Sequence, residues 1–325
     1  MTYNKELIKL HKPLIVLTGP TAVGKTALSI DFAKAINGEI ISADSVQVYK
    51  GMDVGSAKIT ASEMDHVPHH LIDILNPDEE FNVMHFKQYA TDAIHSIYER
   101  GHIPIITGGT GFYIQSVLYD IQFEEEEESD IRKQLELDAV KYGAEYLYEK
   151  LKQVDKPYAD SLHANNVKRV IRALEFYELN GYPFSAHNKK QRENTSPYLF
   201  RYYVLNEPRE ILYDRIEKRV DQMVSLGLLE EVTNLKELGY HRDLVSMQGI
   251  GYKEIYSHLK KECTLEEAIA AIKLNTRHFA KRQLTWFRRE KEVTWIHKQD
   301  FSHDSSKILE YLLHDFYEHI GKELQ

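Results

Sequence analysis

Residues 14–26 read LIVLTGPTAVGKT, and this stretch decides the fold class. The part from Gly19 to Thr26 has the spacing G-x-x-x-x-G-K-[ST] of a phosphate-binding loop, between an apolar strand-like run and the helix-like ALSIDFAKAI. Its two glycines let successive backbone N–H groups converge on one anion, and Lys25 adds a positive charge. The predicted anion-binding residues are Gly19, Pro20, Thr21, Ala22, Val23, Gly24, Lys25 and Thr26.

The helix that begins near Thr26 adds unpaired N–H groups and the positive end of its dipole. The Thr26 hydroxyl is the expected protein ligand of a Mg²⁺ ion that rides on the phosphates. An ordinary glycine-rich turn is the alternative, but the Lys-Thr pair at the right offset disfavours it. The loop alone leaves open whether its anion belongs to ATP, GTP or another diphosphate.

Strand-like apolar runs end in polar loops at Leu14–Leu17, Glu39–Ser42 and Ile103–Thr107, with helical patterns between them. The predicted fold class is therefore α/β, a P-loop core whose parallel sheet is covered by helices. Ligands of such sheets bind outside the carboxyl ends of the strands. We expect Asp44, Thr110 and the phosphate loop to converge on one crevice there.

The sequence pattern changes after Phe123, where the acidic run Glu124–Glu128 begins a long section without a convincing strand. Its patterns are helical, and the strand-like FRYYVL from Phe200 returns the chain to the sheet. The predicted organisation is a first core segment at residues 1–123, a helical insertion at residues 124–197 and a second, mostly helical core segment at residues 198–325.

Composition limits the classes of function. The chain has 325 residues, 42% of them hydrophobic, and its net charge of −9 argues against a general nucleic-acid binder. Cys263 is the only cysteine, so no disulfide within the chain is expected. The apolar runs are only strand length and the first residues lack the apolar segment of a signal peptide. We expect a cytoplasmic monomer without membrane contact.

Basic residues are concentrated locally despite the acidic total. A helical projection of residues 269–288 places an apolar face, expected to be core, beside a basic stripe that could also be an ordinary solvated face. The apolar face comprises Ile272, Thr276, Phe279, Gln283 and Phe287, and the stripe comprises Lys273, Arg277, Lys281 and Arg288. Two further basic clusters are Lys168, Arg169 and Arg172, and Lys189, Lys190 and Arg192.

Seven motifs together resemble those of the bacterial-type tRNA dimethylallyltransferases, which attach a dimethylallyl group to N6 of adenosine 37 beside the anticodon. The motifs are GPTAVGKT, ADSVQVYKGMDVGSAK, HHLIDIL, GGTGFY, NNVKRVIRALE, QGIGYKE and TRHFAKRQLTWFRR. They follow the family's order from Gly19 to Arg289 and cover most of the chain. Such agreement is more specific than a phosphate loop by itself. The chain departs from the family pattern at Lys58-Ile59, where the family commonly has Lys-Pro. This difference does not touch the expected chemistry.

The resemblance implies that the phosphate loop holds dimethylallyl diphosphate, whose diphosphate is the leaving group. Loop N–H groups, Lys25 and Mg²⁺ near Thr26 would stabilise the negative charge that develops on it. An arginine after the insertion should assist, with Arg219 as the first candidate and Arg215 as the next.

For the acceptor, the resemblance implies that the adenine is extruded into the crevice. Asp44 would take a proton from N6 as the C–N bond forms, and Thr110 would contact the substrate near that amine. Turn or cap roles are the alternatives for these two residues, and helix packing is the alternative for Val170 and Ile171. The implied tRNA-binding residues are Asp44, Ser45, Val46, Gln47, Thr110, Arg132, Lys168, Arg169, Val170, Ile171, Arg172, Arg277, Lys281 and Arg282.

Two other classes of function use the same loop. A small-molecule or nucleoside kinase would transfer the γ-phosphoryl group of ATP, and an RNA-binding NTPase would hydrolyse nucleotide and leave RNA unmodified. Neither explains why DSVQ, GGTGFY and KRVIR occur together with a basic helix near the C-terminal end. We therefore predict a Mg²⁺-dependent transferase acting on a tRNA anticodon stem-loop, with ATP binding at the loop left open.

Overall fold

The computed structural model describes residues 3–123 and 130–325, and a single parallel sheet lies at its centre. The strands are β1 (Pro13–Thr18), β2 (Gly38–Ala43), β3 (His69–His70), β4 (Ile103–Gly108), β5 (Leu199–Asn206) and β6 (Val293–His297). They lie in the order β3-β2-β4-β1-β5-β6, and neighbouring strands are parallel throughout. The predicted α/β class is confirmed, and the strand-like run at Phe200 does return the chain to the sheet.

α-Helices alternate with these strands along the chain, as the sequence pattern predicted. Their bounds, in chain order, are α1 (Lys5–His11), α2 (Lys25–Ala35), α3 (Val83–Arg100), α4 (Gly111–Leu118), α5 (Asp130–Tyr142), α6 (Ala144–Val154), α7 (Lys156–Ala159), α8 (Val167–Asn180), α9 (Phe184–Arg192), α10 (Arg209–Ser225), α11 (Leu228–Glu237), α12 (Tyr252–Leu259), α13 (Leu265–Phe287) and α14 (Ser305–His319).

Local sequence explains where these elements start and stop. Every residue of β1 is buried, as expected for a central strand covered on both sides. The long helix α13 begins after Thr264, whose hydroxyl accepts the Glu267 N–H while the Glu267 carboxylate accepts the Thr264 N–H. Helix α3 ends at Arg100 and is capped by Gly101, which has a φ of 76° that glycine adopts without strain.

The chain divides into two compact units, Met1–Leu118 with Pro197–Gln325, and Tyr119–Ser196. The larger unit contains the sheet, and its core includes the rings of Phe32, Tyr203 and Phe316 in edge-to-face contact. No helix in the described part of the chain combines the length and the apolar composition that a bilayer crossing requires.

The smaller unit consists of helices α5 to α9 around an apolar core of its own. That core includes Leu135, Leu147, Leu151, Val170, Ile171 and Leu174. The side chains of Val170 and Ile171 thus pack in the core of this unit. The acidic run Glu124–Glu128, predicted to be a solvated surface segment, lies outside the described residues.

Candidate active site

Neighbouring strands end side by side, and this places the predicted site residues together. Gly108 at the end of β4 is level with Ala43 on β2 and with Thr18 on β1. The Thr18 hydroxyl donates to the Gly108 carbonyl at 2.6 Å, and the Thr110 N–H donates to the Ala43 carbonyl at 3.2 Å. A Cβ on Gly108 would stand 2.3 Å from the Ala43 oxygen, so only glycine fits. The phosphate loop, Asp44 and Thr110 therefore start from adjoining points of one sheet edge.

The phosphate loop joins β1 to α2 through backbone conformations that glycine favours. Gly19 and Gly24 have φ values of 149° and 94°. A Cβ on Gly19 would also stand 2.5 Å from the Leu205 carbonyl oxygen of β5. Helix α2 begins directly at Lys25, so the N–H groups of its first turn lack helical partners and are available to an anion.

Thr26 lies exposed in that first turn and offers one hard oxygen ligand. Among the described residues, no group of three or more His, Cys, Asp or Glu side chains is placed to hold a metal ion. A single hydroxyl beside an anion site suits Mg²⁺, because this ion keeps several waters and is commonly bound through substrate phosphates. The residues present therefore fit the predicted ion.

Lys25 folds back onto its own loop. Its ammonium group donates to the carbonyls of Gly19 at 3.0 Å and Pro20 at 2.9 Å. Burial and, to a lesser extent, the charge of Arg219 together lower the pKa of Lys25 to about 7, although Asp44 acts in the opposite direction. An anion bound in the loop would favour the charged form of Lys25.

Arg219 reaches the loop from α10. Its guanidinium lies 3.5 Å from the Thr21 hydroxyl, and burial lowers its pKa while Asp44 acts to raise it. Arg215, one turn earlier, lies 3.4 Å from the buried carboxylate of Glu207 instead. Of the two candidate arginines, Arg219 is therefore the one that lies at the phosphate loop and within electrostatic range of Asp44.

Asp44 follows the last residue of β2. Its Oδ1 accepts the N–H groups of Val46 at 2.8 Å and Gln47 at 3.2 Å, so the carboxylate also organises its own turn. No described residue donates a hydrogen bond to its Oδ2. The Gln47 amide donates to the carbonyls of Ser56 at 3.3 Å and Ala57 at 3.4 Å. Ser45, between them, is exposed.

The loop that holds Gln47 is fixed by a carboxylate that the sequence did not single out. Glu231 of α11 accepts the N–H groups of Asp53 at 2.8 Å, Val54 at 2.7 Å and Gly55 at 2.9 Å. It also accepts the Tyr252 hydroxyl at 2.8 Å. The DVGSAK and QGIGYKE motifs are thus parts of one structural unit, although nothing in the local sequence marks Glu231.

Gln283 was predicted to be a core residue, and it is buried, yet its amide bonds both sides of the site. Its Oε1 accepts the Thr21 N–H at 2.9 Å, and its Nε2 donates to the Gly109 carbonyl at 3.1 Å. A polar residue in the middle of an apolar helix face was the available signal for this role.

The predicted basic stripe of α13 is divided between two environments. Arg277 pairs with Glu217 of α10 and Lys273 pairs with Asp221 of the same helix at 2.6 Å, whereas Lys281 and Arg288 are exposed. Arg282, which was predicted to bind tRNA, is also exposed. A cavity of about 360 Å³ opens between α10 and α13. It is lined by Arg209, Tyr213, Leu274, Arg277, His278 and Lys281.

In the smaller unit, α8 carries Lys168, Arg169 and Arg172 as exposed side chains. Arg132 of α5 is engaged inside the unit, because its Nε and Nη2 donate to the Glu175 carboxylate at 2.9 and 2.6 Å. The implied RNA contacts of these four residues stay predictions.

Comparison with known proteins decides the family. A match to the IPP transferase family covers residues 47–290. The chain belongs to this family. The tRNA dimethylallyltransferase of Lachnoclostridium phytofermentans is 58% identical over 300 residues, which are 92% of this chain and 96% of that protein. The enzyme of the same name from Bacillus anthracis is 51% identical over 303 residues, covering 93% of this chain and 96% of that one.

Solved structures of IPP transferases share the fold. The tRNA isopentenylpyrophosphate transferase of Bacillus halodurans matches with a TM-score of 0.71 at 45% identity, over 96% of this chain and 99% of that one. A eukaryotic dimethylallyltransferase acting on tRNA matches with a TM-score of 0.74 at 30% identity, over 89% of this chain and 75% of that one. The family predicted from the seven motifs is confirmed, and the kinase interpretation is not favoured.

Proposed function

We propose that this protein is a tRNA dimethylallyltransferase, which transfers the dimethylallyl group of dimethylallyl diphosphate to N6 of adenosine 37 and releases diphosphate. The observation that carries the proposal is that Asp44 and the phosphate loop follow the ends of β2 and β1, which both pair with β4, while Arg219 lies 3.5 Å from the Thr21 hydroxyl of the loop. A base for the acceptor amine and cations for the leaving group thus share one sheet edge.

On the donor side, transfer breaks the allylic C–O bond, and its electron pair leaves with the diphosphate. The loop N–H groups, Lys25 and Arg219 stabilise the negative charge that develops there. A Mg²⁺ ion held by the Thr26 hydroxyl would supply Lewis-acid stabilisation of the same diphosphate oxygens. The site thus uses a phosphate loop to hold a leaving group.

On the acceptor side, N6 forms the new C–N bond and loses one proton. Its lone pair is delocalised into the adenine ring, so removal of that proton assists attack. Asp44 accepts the proton through Oδ2, since its Oδ1 already accepts two backbone N–H groups. Thr110 directly precedes α4, its N–H donates to the carbonyl of Ala43, the residue before Asp44, and no described residue bonds its hydroxyl.

The substrate adenine must leave the anticodon stack to reach this edge of the sheet. Exposed cations offer contacts to the RNA backbone, namely Lys281 and Arg282 on α13 and Lys168, Arg169 and Arg172 on α8. Because the overall charge of the chain is negative, these local clusters carry the RNA affinity in our proposal.

The test is product analysis. The protein is incubated with an unmodified tRNA transcript that carries adenosine at position 37, dimethylallyl diphosphate and Mg²⁺, and the nucleosides are weighed by mass spectrometry. We expect adenosine to gain one dimethylallyl group in place of one hydrogen, with an equal amount of pyrophosphate released. A matched transcript with guanosine at position 37 should gain nothing. If the RNA stays unmodified and a parallel reaction with added ATP consumes the ATP, the proposal is overturned in favour of a kinase or an NTPase.

A further inference from the structure

Gln283 is the one side chain of α13 that hydrogen-bonds both to the phosphate loop and to the GGTG turn in the described part of the chain. Only 5% of its surface is exposed, and Thr21 and Gly109, its two partners, lie far away in sequence. The two bonds use both ends of one planar amide, so they fix the spacing between the loop and the turn.

The turn is shaped to receive this amide. A Cβ on Gly109 would stand 2.0 Å from the Gln283 Nε2, so a side chain there would displace the amide. Trp286, one helical turn further along α13, packs in the same way against Gly111, where a Cβ would stand 2.1 Å from the indole Cδ1. Thr110 lies between the two glycines. Helix α13 thus holds the turn on either side of Thr110.

The polarity of the two bonds is also informative. The Gln283 oxygen accepts a hydrogen bond from the Thr21 N–H, and Thr21 also contacts Arg219 through its hydroxyl. The Gln283 nitrogen donates a hydrogen bond to the carbonyl of Gly109, the residue that precedes Thr110. One neutral side chain is therefore linked to the leaving-group side of the site at one end and to the acceptor side at the other.

We propose that Gln283 is a positioning residue for the transfer reaction, which sets the distance between the diphosphate-binding loop and the Thr110 turn. This inference rests on the proposed function. Reacting groups must meet in a narrow range of geometries, and small misplacement costs much of the rate. Gln283 touches neither substrate in this proposal, and it acts through Thr21 and Gly109.

The first variant is Gln283→Leu, which keeps the approximate size of the side chain and removes both hydrogen bonds. We expect kcat to fall by about tenfold or more and KM for dimethylallyl diphosphate to rise, with KM for tRNA within about twofold of wild type. Thr285→Ala, an exposed position on the same helix, is the control and should match the wild type. Thermal melts of each variant report the effect on stability separately.

The second variant, Gln283→Glu, gives a readout that a purely structural role would not move. A protonated carboxyl group can accept from Thr21 and donate to Gly109 as the amide does, whereas a carboxylate can only accept. The kcat of Gln283→Glu relative to wild type should therefore recover as pH falls. If Gln283→Leu does not fold, the pH profile of Gln283→Glu tests the positioning role by itself.

The outcomes separate the inference from the proposed function. A wild-type protein that does not modify tRNA would remove the proposed function and this inference with it. Two outcomes would overturn the inference alone, provided that the wild type is active. One is a folded Gln283→Leu variant with the kcat and KM of the wild type. The other is a ratio of Gln283→Glu activity to wild-type activity that does not change with pH.

Discussion

The ring of Tyr252 occupies the space that a side chain on Gly55 would fill, since a Cβ on this glycine would stand 2.5 Å from the tyrosine Cζ. Tyr252 opens α12, and Gly55 lies in the loop that also supplies the carbonyl partners of Gln47. The position of Gln47, one of the implied tRNA-binding residues, therefore depends on a contact with a distant helix.

We expect Gly55→Ala to destabilise the protein by about 1–3 kcal/mol, because the added methyl overpacks a buried contact. Urea unfolding measures this loss. Tyr252→Leu removes the ring atoms that collide, so Gly55→Ala should cost less in that background than in the wild type. Equal costs in both backgrounds would contradict the contact.

Lys25 should make diphosphate binding sensitive to pH. Its pKa in the free protein is lowered to about 7, so it is charged below that pH and neutral above it. A bound diphosphate favours the charged form, and the affinity advantage of wild type over Lys25→Gln should therefore shrink as pH rises from about 6 to about 9. Pyrophosphate titrations of both proteins measure this ratio, and a constant ratio would contradict the assignment.

The Glu39 carboxylate should stabilise the folded state at neutral pH and lose this effect in acid. Burial acts to raise its pKa, but hydrogen bonds from His70, Arg100 and His102 outweigh burial and hold the pKa well below the usual range. A carboxylate with a lowered pKa stabilises the folded state above its unfolded pKa, and this stabilisation is lost as pH falls. We expect Glu39→Gln to cost about 1–3 kcal/mol at neutral pH.

The matching acid test uses the same variant. The difference in stability between Glu39→Gln and wild type should narrow as pH drops below about 4, where the carboxylate begins to protonate in the unfolded chain. Urea unfolding at several pH values follows it. A difference that stays constant into acid would show that the charge of Glu39 does not stabilise the fold.

The exposed cations of α13 should contribute to RNA affinity through phosphate contacts. Lys281→Ala and Arg282→Ala should each weaken tRNA binding and reduce the slope of log affinity against log salt by about one. Lys307→Ala, an exposed lysine on α14, is the matched control. Binding isotherms at several salt concentrations provide the slopes, and unchanged slopes in the α13 variants would place the RNA elsewhere.

Much of the fold could be predicted from the sequence because its signals are local. The phosphate loop has glycines at fixed spacing beside a buried strand, and these glycines do adopt the positive φ values that the motif requires. Strand ends could be located as well, so Asp44 and Thr110 were expected at the same sheet edge. The structure then separated Arg219 from Arg215 by what each one faces.

The rest depends on partners that are distant in sequence. Gln283 lies on the core face of a helical projection, where its polarity indicates that the amide needs partners, but nothing in its own helix identifies Thr21 and Gly109 as those partners. Likewise, the projection showed Arg277 as part of a basic stripe but could not show that Glu217 on the neighbouring helix α10 pairs with it. Such roles follow from packing between elements, which periodicity does not encode.

The central claim is that Asp44 takes the N6 proton while the phosphate loop holds the leaving group. Its most direct test is the single-turnover rate of transfer by Asp44→Asn, with tRNA and dimethylallyl diphosphate both saturating. We predict a fall of about 10²–10⁴-fold, with pyrophosphate affinity within a few-fold of wild type. A transfer rate in Asp44→Asn equal to that of the wild type would contradict the claim.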